Sequence, residues 1–322
     1  MLLRRLATGL WLMGLALVGP ANAYDDPNVR SHPMRAHSLA PPYLDSDMHT
    51  RWFEYGGDTL IRTDKYIRLT STYPSQKGWI FSRVPITATN WEIEVEFKIH
   101  GPGHLYGDGF AMWLTTQRGT NGPVFGSADK FEGLGIFFDT YKNNRPGVTF
   151  PYVMAMIGDG ETLYDQEHDG KSNEIAGCSA RGIRDSTVPT KARLTYFQEK
   201  SLTLDLMYKS DGSWTNCFTL TAPKDTFAIP SVAYLGFSAE TGELSDNHDI
   251  ISVASTNLYF PPGLSKPEGS GKQSGGYGSK PLDATTGGWG WFFFKVFLFF
   301  AVVSASYAGW TFYRGSRTYS RF

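Results

Sequence analysis

An uninterrupted apolar run, Leu134–Phe138, places the strongest constraint on how this chain folds. Strands with one exposed face alternate between apolar and polar residues, whereas strands that are buried on both faces do not. The run follows Gly133 and ends at Asp139, where an oxygen-rich loop begins. It therefore predicts a β-strand that is covered by protein on both faces and is followed by polar residues.

The region from Pro41 to Phe260 contains short strand-like runs separated by Gly, Pro, Asn and Asp, without a helical stripe of convincing length. Trp91–Ile99 alternates cleanly between apolar and charged residues. The runs 193–197 and 202–206 predict a hairpin around residues 198–201. Aromatic residues make up 15% of the chain, which suits strands better than helices. The sequence therefore predicts an all-β fold, a large antiparallel β-sandwich.

The N-terminal residues 1–23 have the pattern of a secretory signal peptide. Arg4 and Arg5 form its basic start, Leu6–Val18 its apolar centre and Ala21–Ala23 a cleavage site of small residues. Cleavage there leaves a luminal domain, residues 24–260, in an oxidising compartment. The chain has only two cysteines, and this context predicts one disulfide between Cys178 and Cys217, with two buried free thiols as the alternative.

The C-terminal part has the composition of a membrane anchor. Residues 261–288 are rich in Gly, Ser, Pro and Lys, which predicts a flexible stalk. Residues 289–313 are mostly apolar with aromatic ends, which predicts one transmembrane helix across a hydrocarbon layer of ~30 Å. The tail, residues 314–322, contains arginines and no acid, so it is predicted to be cytosolic. A single-pass type I membrane protein follows, and the terminal Phe322 is a candidate sorting signal.

The charge balance argues against a nucleic-acid partner. Lysine and arginine number 30 and the acidic residues number 31, so the net charge is close to zero. A nucleic-acid-binding face needs clustered positive charge, and no such partner is expected.

The loop after the apolar run predicts a cation site. Asp139, the Tyr141 backbone carbonyl and Asn143 stand at alternate positions, so their oxygens face one side of an extended segment. Oxygen ligands of this kind suit Ca²⁺. A second acidic loop supplies Asp169, which would close the site. The alternative is an ordinary turn at the end of a strand, where Asp and Asn are common.

Other acidic residues also have both a functional and a structural interpretation. Glu92, Glu94 and Glu96 share one face of a strand, where a pair of carboxylates would serve glycoside hydrolysis. A solvated sheet face explains the same alternation and is the preferred interpretation. Asp108 lies between two glycines, where its carboxylate can accept hydroxyl hydrogen bonds, or it belongs to a plain turn.

Several motifs together resemble those of the leguminous-type (L-type) lectins of the secretory pathway, which include the vesicular integral-membrane lectins and the mannose lectin of the ER–Golgi intermediate compartment. The resemblance extends from about residue 37 to residue 259. The motifs that carry it are Gly107–Gly109, Gly122–Ser127, Gly133–Asn143, Tyr164–Asp165, Asp169–Gly170, Ala176–Cys178 and Leu244–Asp249.

The resemblance implies a concanavalin-like sandwich of the jelly-roll type that binds high-mannose N-glycans through Ca²⁺ and is not an enzyme. By position, the metal ligands would be Asp139, Tyr141, Asn143 and Asp169. The carbohydrate-binding residues would be Ser75, Asp108, Asn143, Gln166, Gly242, Glu243 and Leu244.

Three positions depart from the family pattern. Gln166 stands where the family often has histidine, and His168 is displaced by two residues. Glu243 replaces an aspartate, which puts a side-chain contact from that position in doubt but not the backbone contacts. Lys142 stands where some members have a carboxylate for a second cation, so one Ca²⁺ ion is expected.

The resemblance also implies a cellular role. The chain would be a cargo receptor in membranes of the ER, the ER–Golgi intermediate compartment and the Golgi, with vesicle-coat or sorting machinery on its tail. Two alternatives come from other classes. One is a membrane-anchored glycoside hydrolase on the same sandwich fold, and the other is a receptor that binds cargo protein rather than sugar.

Overall fold

The computed structural model describes residues 28–225 and 227–260, together with Phe297, Leu298, Ser304 and residues 306–311. Within these residues there are sixteen β-strands, β1–β16, and the short 3-10 helices Arg35–His37 and Gln166–His168. The chain divides into the units Met1–Lys266 and Pro267–Phe322. All sixteen strands belong to the first unit.

Two antiparallel sheets form the first unit. The eight-stranded sheet has the order β14-β13-β12-β6-β16-β4-β3, and β1 also pairs with β16. Its strands are β1 (Arg30–Pro33), β3 (Leu60–Arg62), β4 (Tyr66–Thr70), β6 (Asn90–His100), β12 (Thr190–Phe197), β13 (Ser201–Met207), β14 (Thr215–Thr221) and β16 (Asn247–Tyr259).

The seven-stranded sheet has the order β11-β10-β9-β7-β15-β5-β2. Its strands are β2 (Phe53–Gly57), β5 (Lys77–Ser82), β7 (Gly109–Thr115), β9 (Glu132–Asp139), β10 (Tyr152–Asp159), β11 (Ala176–Ser179) and β15 (Tyr234–Glu240). The short strand β8 (Asn121–Val124) lies outside both sheets, in a loop that closes on Ser127.

The larger hydrophobic core contains side chains from both sheets. On β6 the apolar side chains of Trp91, Ile93, Val95 and Phe97 are buried in it, as the alternation predicted. From the other sheet, Phe110 of β7 stacks on Phe138 of β9 with ring centroids 4.4 Å apart. Stacked aromatic pairs of this kind stabilise a core beyond the area that they bury.

A second hydrophobic cluster explains why the run Leu134–Phe138 of β9 has no polar position. Phe137, the residue that alternates with the core-facing Ile136 and Phe138, packs in this cluster against Phe125 and Trp113. Its buried members are Phe81, Ala111, Trp113, Val124, Phe125, Phe131, Phe137, Tyr152, Met154, Met156 and Tyr164. The prediction of a strand covered on both faces is confirmed, because seven of the eight residues of β9 are buried.

One disulfide joins the edges of the two sheets. Cys178 lies on β11 and Cys217 on β14, with their Cα atoms 5.3 Å apart. Each strand is the last of its sheet, so the bond closes one side of the sandwich. The predicted pairing is confirmed, and the alternative of two free thiols is wrong.

The all-β antiparallel sandwich and the 193–206 hairpin are confirmed as well. The predicted signal peptide, the stalk and the tail lie outside the described residues, as does most of the predicted span 289–313. In the parts of the chain that the structure describes, no helix has the length and apolar character needed to cross a bilayer.

Candidate functional site

Three neighbouring strands of the seven-stranded sheet bring polar residues to one end of the sandwich. In register, Gly109 at the start of β7 pairs with Asp139 at the end of β9 and with Glu240 at the end of β15. A cavity of about 210 Å³ opens at this end. The residues that line it are Asp108, Pro123, Phe125, Asp139, Tyr141, Asn143, Tyr164, Gln166, Asp169 and Glu240.

Two buried carboxylates form the floor of the predicted metal site. Asp139 is 5% exposed and accepts a hydrogen bond from Tyr141 N at 3.0 Å. Burial, followed by the negative charge of Asp169, raises the pKa of Asp139 well above its ordinary value. Asp169 is 2% exposed, and burial raises its pKa as well. Two carboxylates that are buried close together leave negative charge that a cation would neutralise.

Asn143 connects the two loops. Its backbone N–H donates to Asp169 Oδ2 at 3.1 Å, and its side-chain Nδ2 donates to Asp169 Oδ1 at 2.5 Å. Because Nδ2 points at Asp169, Oδ1 is the amide atom left for a cation or a sugar. The amide therefore belongs to both loops, although it is itself exposed.

Arg145 supports the Asp169 loop through a hydrogen bond to its backbone, and the sequence did not predict this role. Its guanidinium is buried, donates to the Asp169 backbone carbonyl at 2.9 Å and pairs with Glu174. It also lies over the ring of Tyr152, 4.3 Å from the centroid. The sequence signal was weak, because one arginine in a polar loop has no distinguishing spacing.

Asp108 faces the same cavity from the loop before β7. Its backbone holds the site together: Asp108 N donates to the Glu240 carbonyl at 3.2 Å, and Thr140 N donates to the Asp108 carbonyl at 2.9 Å. Its carboxylate remains available to a ligand. Burial, and then the charge of Glu240, raises its pKa to about 6.

The glycines beside Asp108 make room for the protein's own chain rather than for a ligand. A Cβ atom on Gly107 would lie 3.0 Å from Tyr141 Cβ, and one on Gly109 would lie 2.2 Å from the Phe138 carbonyl oxygen. Gly109 also has a φ of +144°, which side chains disfavour. The peptide bond between Gly107 and Asp108 is cis.

Two loops that contain predicted carbohydrate-binding residues meet beside Asp108. Ser75 N donates to the Gly242 carbonyl at 2.9 Å, and Thr241 N donates to the Gln76 carbonyl at 3.0 Å. A Cβ atom on Gly242 would lie 3.2 Å from Asp108 Oδ2, so this loop borders the carboxylate closely. Ser75 and Glu243 are exposed and Leu244 is half-buried, and none of the three lines the cavity.

Gln166 lines the cavity at the position where a histidine was expected. Its Nε2 donates to the carbonyl of Pro123, another lining residue, at 3.2 Å. His168 turns away, with Nδ1 3.2 Å from Asp165 Oδ1 and its backbone N–H donating to the same atom. The displaced histidine therefore lies within a 3-10 helix that Asp165 caps, and Gln166 alone occupies the cavity position.

Glu240 and Lys77 are a second feature that sequence reasoning missed. Glu240 Oε1 lies 2.8 Å from Lys77 Nζ, and Glu240 Oε2 accepts a hydrogen bond from Gly126 N at 3.1 Å. The only sequence signal was the position of Glu240, two residues before the predicted sugar-binding glycine, Gly242.

The donor set fits a hard divalent cation. Among the described residues, no group of three or more His, Cys, Asp and Glu side chains is arranged to hold a metal. The set at the cavity is instead two carboxylates, an amide oxygen and a backbone carbonyl, all of them oxygen donors. Such ligands suit Ca²⁺ rather than zinc, which prefers nitrogen and sulfur.

The three glutamates of β6 lie elsewhere. Glu94 pairs with Lys191 at 2.9 Å and with Arg193 at 2.9 Å across to β12, and Glu92 accepts from Thr195 Oγ1 at 3.1 Å. They belong to the eight-stranded sheet, whereas the cavity lies at the end of the other sheet. These contacts are cross-strand pairs of a sheet face, as the preferred interpretation predicted, except that Glu92 is buried rather than solvated.

The chain matches the Legume-like lectin family over residues 30–262. It is 42% identical over 223 residues to an L-type lectin-like domain-containing protein of Schizosaccharomyces pombe, covering 69% of this chain and 70% of the relative. It is 39% identical over 244 residues to the human vesicular integral-membrane protein VIP36, covering 74% of this chain and 66% of the relative.

Solved structures agree with these relatives. The VIP36 exoplasmic/lumenal domain in its Ca²⁺/Man-bound form matches with a TM-score of 0.66 and 36% identity, covering 74% of this chain and 94% of that one. The Ca²⁺-bound form of the same domain matches with a TM-score of 0.65 and 39% identity, covering 71% and 93%. A legume lectin-like domain from Entamoeba histolytica, at 20% identity and a TM-score of 0.55, shares the fold.

Proposed function

Because the chain belongs to the legume-like lectin family, we propose that it is a calcium-dependent lectin that binds high-mannose N-glycans and carries glycoproteins in the early secretory pathway. Membership alone makes it a carbohydrate-binding protein and not an enzyme, as the sequence predicted. The alternative of a glycoside hydrolase is therefore set aside.

One observation carries the proposal: the predicted metal ligands and the predicted sugar acceptor Asp108 line one cavity. Asp139, Tyr141, Asn143 and Asp169 all border it. Asn143 already bonds to Asp169, so a change at the metal site would move a residue that faces the sugar. VIP36, a relative, has been solved with Ca²⁺ and Man together, which supports the proposal that this chain binds both a calcium ion and a sugar.

A bound Ca²⁺ ion would neutralise two buried carboxylates and so hold their loops together. Asp139, Asn143, Asp169 and the Tyr141 carbonyl would be its protein ligands. The chain's own hydrogen bonds prepare the site, because Tyr141 N fixes Asp139 and Arg145 fixes the backbone at Asp169. One ion is proposed, since Lys142 would oppose a second.

The sugar contacts in this proposal come from three places. Asp108 would accept hydroxyl hydrogen bonds, Asn143 and Gln166 would contribute amide groups, and the Tyr141 ring, 39% exposed, would pack against the apolar face of the hexose. The backbone of Gly242–Leu244, together with Ser75, would border the same hexose. Each hydrogen bond contributes only about 0.5–1.5 kcal/mol net, so affinity for a single glycan should be modest.

Weak capture suits a receptor that must release its load. Acid would favour release, because metal ligands must be deprotonated and burial raises the pKa of both Asp139 and Asp169. We propose that the chain acts in membranes of the ER, the intermediate compartment and the Golgi, with its tail recruiting sorting machinery.

The test is glycan binding by residues 24–260 with and without calcium. We expect binding to high-mannose N-glycans on an array in calcium, and its loss after chelation. A calcium titration by calorimetry should give a stoichiometry near one. Binding that is unchanged by the chelator would reject the metal mechanism. Capture of cargo that survives enzymatic deglycosylation would instead support the alternative of a protein receptor.

A further inference from the structure

Glu240 adds a fourth carboxylate to the cavity that contains Asp108, Asp139 and Asp169. It is the last residue of β15, and its backbone carbonyl accepts the hydrogen bond from Asp108 N. Its charge is close enough to Asp108 to raise the pKa of that group. Neither the strand pattern nor the family resemblance assigned a role to it.

The protein holds this carboxylate in one orientation. Lys77 Nζ lies 2.8 Å from Oε1 and also donates to the Gly122 carbonyl at 2.9 Å. Gly126 N donates to Oε2 at 3.1 Å. The pair Lys77–Glu240 thereby joins β5, β15 and the loop that carries the Pro123–Phe125 wall of the cavity. The Glu240 side chain is nevertheless 20% exposed.

The Glu240 carboxylate still has free acceptor positions for a ligand. An ionised carboxylate has about four acceptor positions, and the contacts from Lys77 and Gly126 use two of them. An acceptor that is already fixed loses little entropy when it binds a hydroxyl. Because it borders the cavity, the free positions are available to a hexose next to Asp108.

We infer that Glu240 is a further sugar-binding residue that restricts the cavity to uncharged hexoses, with Lys77 as its positioning residue. The inference rests on the proposed function. The Glu240 carboxylate accepts a hydroxyl hydrogen bond from a neutral sugar. A phosphorylated sugar meets four carboxylates that one divalent cation and one ammonium only partly neutralise, and like charges placed together at a binding site are strongly unfavourable.

The experiment compares two probes, methyl α-mannoside and mannose 6-phosphate, on the full-length chain purified in detergent with saturating calcium. The wild type should bind methyl α-mannoside more tightly. Glu240→Gln keeps the size of the side chain and removes its charge. We expect its affinity for methyl α-mannoside to fall about fivefold to tenfold, because a charge-assisted hydrogen bond becomes a neutral one. The ratio of the affinity for methyl α-mannoside to the affinity for mannose 6-phosphate should be at least about threefold smaller than in the wild type.

Two further variants separate contact from support. Lys77→Met removes the positive charge, so the preference for the neutral probe should widen rather than narrow. Glu161→Gln makes the same chemical change as Glu240→Gln at an exposed position after β10, outside the cavity. It should change neither the affinity for methyl α-mannoside nor the preference over mannose 6-phosphate. Calcium affinity should be the same in Glu240→Gln and the wild type.

The failures are distinguishable. A wild type that binds neither probe in calcium would sink the proposed function itself. A wild type that binds methyl α-mannoside, with Glu240→Gln unchanged in affinity or in preference, would overturn only the role of Glu240. A third outcome is that Glu240→Gln and Lys77→Met lose the same affinity for methyl α-mannoside and keep the wild-type preference over mannose 6-phosphate. That result would also overturn the role of Glu240 as a sugar contact, because it indicates that the pair only supports the Pro123–Phe125 wall.

Discussion

At the scale of single residues, the cavity depends on acidic groups that the fold holds close together and largely out of water. Asp139 and Asp169 are both nearly inaccessible, and burial raises the pKa of each. Asp108 is half-buried nearby. Placing like charges in such surroundings is unfavourable unless a counter-charge is bound. The acids therefore favour cation binding at the expense of the metal-free protein.

Asp139→Asn should have opposite effects on calcium binding and on metal-free stability. The amide oxygen can still accept from Tyr141 N, so the loop geometry is preserved, but calcium affinity should fall below detection. In chelator at neutral pH the variant should melt a few degrees higher than the wild type, because a buried charge is gone. Differential scanning calorimetry with and without calcium measures both. A variant that is less stable in chelator would contradict this account.

The same group sets a pH dependence of the metal-free domain. The folded pKa of Asp139 is raised, so protonation favours the folded state. Metal-free stability should therefore rise as the pH falls from neutral, and this gain should end near 3.8, the ordinary pKa of an aspartate. Asp249 does not contribute to this rise. Its ion pair with Arg68 lowers its pKa, so its titration changes the stability only below pH 3.8. The Asp139→Asn variant should lack much of the rise, which urea titrations at several pH values would reveal.

Asp108→Asn should remove sugar binding and leave the fold intact. The contacts that hold this residue come from its backbone, to Glu240 and Thr140, and the substitution keeps them. We expect mannose affinity to fall at least about 30-fold, since charge-assisted hydrogen bonds to hydroxyls are lost. Calcium affinity and the melting temperature serve as controls. Retained mannose binding would move the sugar site elsewhere.

At the scale of elements, a few contacts between loops shape the site on a rigid sandwich. The loop that carries the Pro123–Phe125 wall lies against β15 at Gly126, where φ is +82° and a Cβ atom would lie 2.3 Å from the Ala239 carbonyl oxygen. Ser238 Oγ accepts from Trp113 Nε1 at 2.7 Å and donates to the Phe125 carbonyl at 2.6 Å. The wall is therefore held by contacts to the second hydrophobic cluster, to which Phe125 and Trp113 both belong.

The disulfide should stabilise the sandwich without tuning the site. It joins the edge strands β11 and β14, and its residues lie outside the cavity. Replacing both Cys178 and Cys217 by serine should lower the free energy of unfolding by roughly 2–4 kcal/mol, because a closed loop in the unfolded chain is released. Mannose affinity, measured well below the melting temperature, should stay within about twofold of the wild type. A larger change would mean that the sheet edge controls the loops of the cavity.

At the scale of the whole molecule, the proposed receptor combines one weak site with a membrane anchor. The cavity is small and polar, and exposed hydroxyl contacts compete with water, so single-site affinity should be modest. The predicted stalk 261–288 and span 289–313 would concentrate many such sites on one surface. Effective concentration then raises the affinity for a cargo that bears several glycans, without any new contact.

This arrangement predicts a large difference between soluble and anchored forms. The full-length chain in liposomes should bind a glycoprotein with several high-mannose glycans about 100-fold more tightly than residues 24–260 in solution. Surface plasmon resonance on both forms would measure it, with a glycoprotein bearing one glycan as the control. Equal affinities for the two forms would contradict the proposed anchoring or its use in multivalent capture.

The amino-acid sequence determined the class of fold and the loops that matter, because both are written in local patterns. The alternation of Trp91–Ile99 and the unbroken apolar run Leu134–Phe138 each follow from which faces of a strand are buried, and both predictions are confirmed. The disulfide followed from the cysteine count and the predicted secretory leader. The oxygen-rich spacing after Asp139 marked the loop that borders the cavity.

The tertiary structure alone decided which side chains face the cavity. Glu240 lines the cavity although it lies far from Asp139 in sequence, and only the register of β5, β15 and β7 brings it beside Asp108 and places Lys77 opposite it. It also decided that His168 bonds to Asp165, the cap of a short helix, while Gln166 lines the cavity. The physical reason is that strand patterns report burial along one chain, whereas a binding site at the end of a sheet is assembled from strands that pair across long separations.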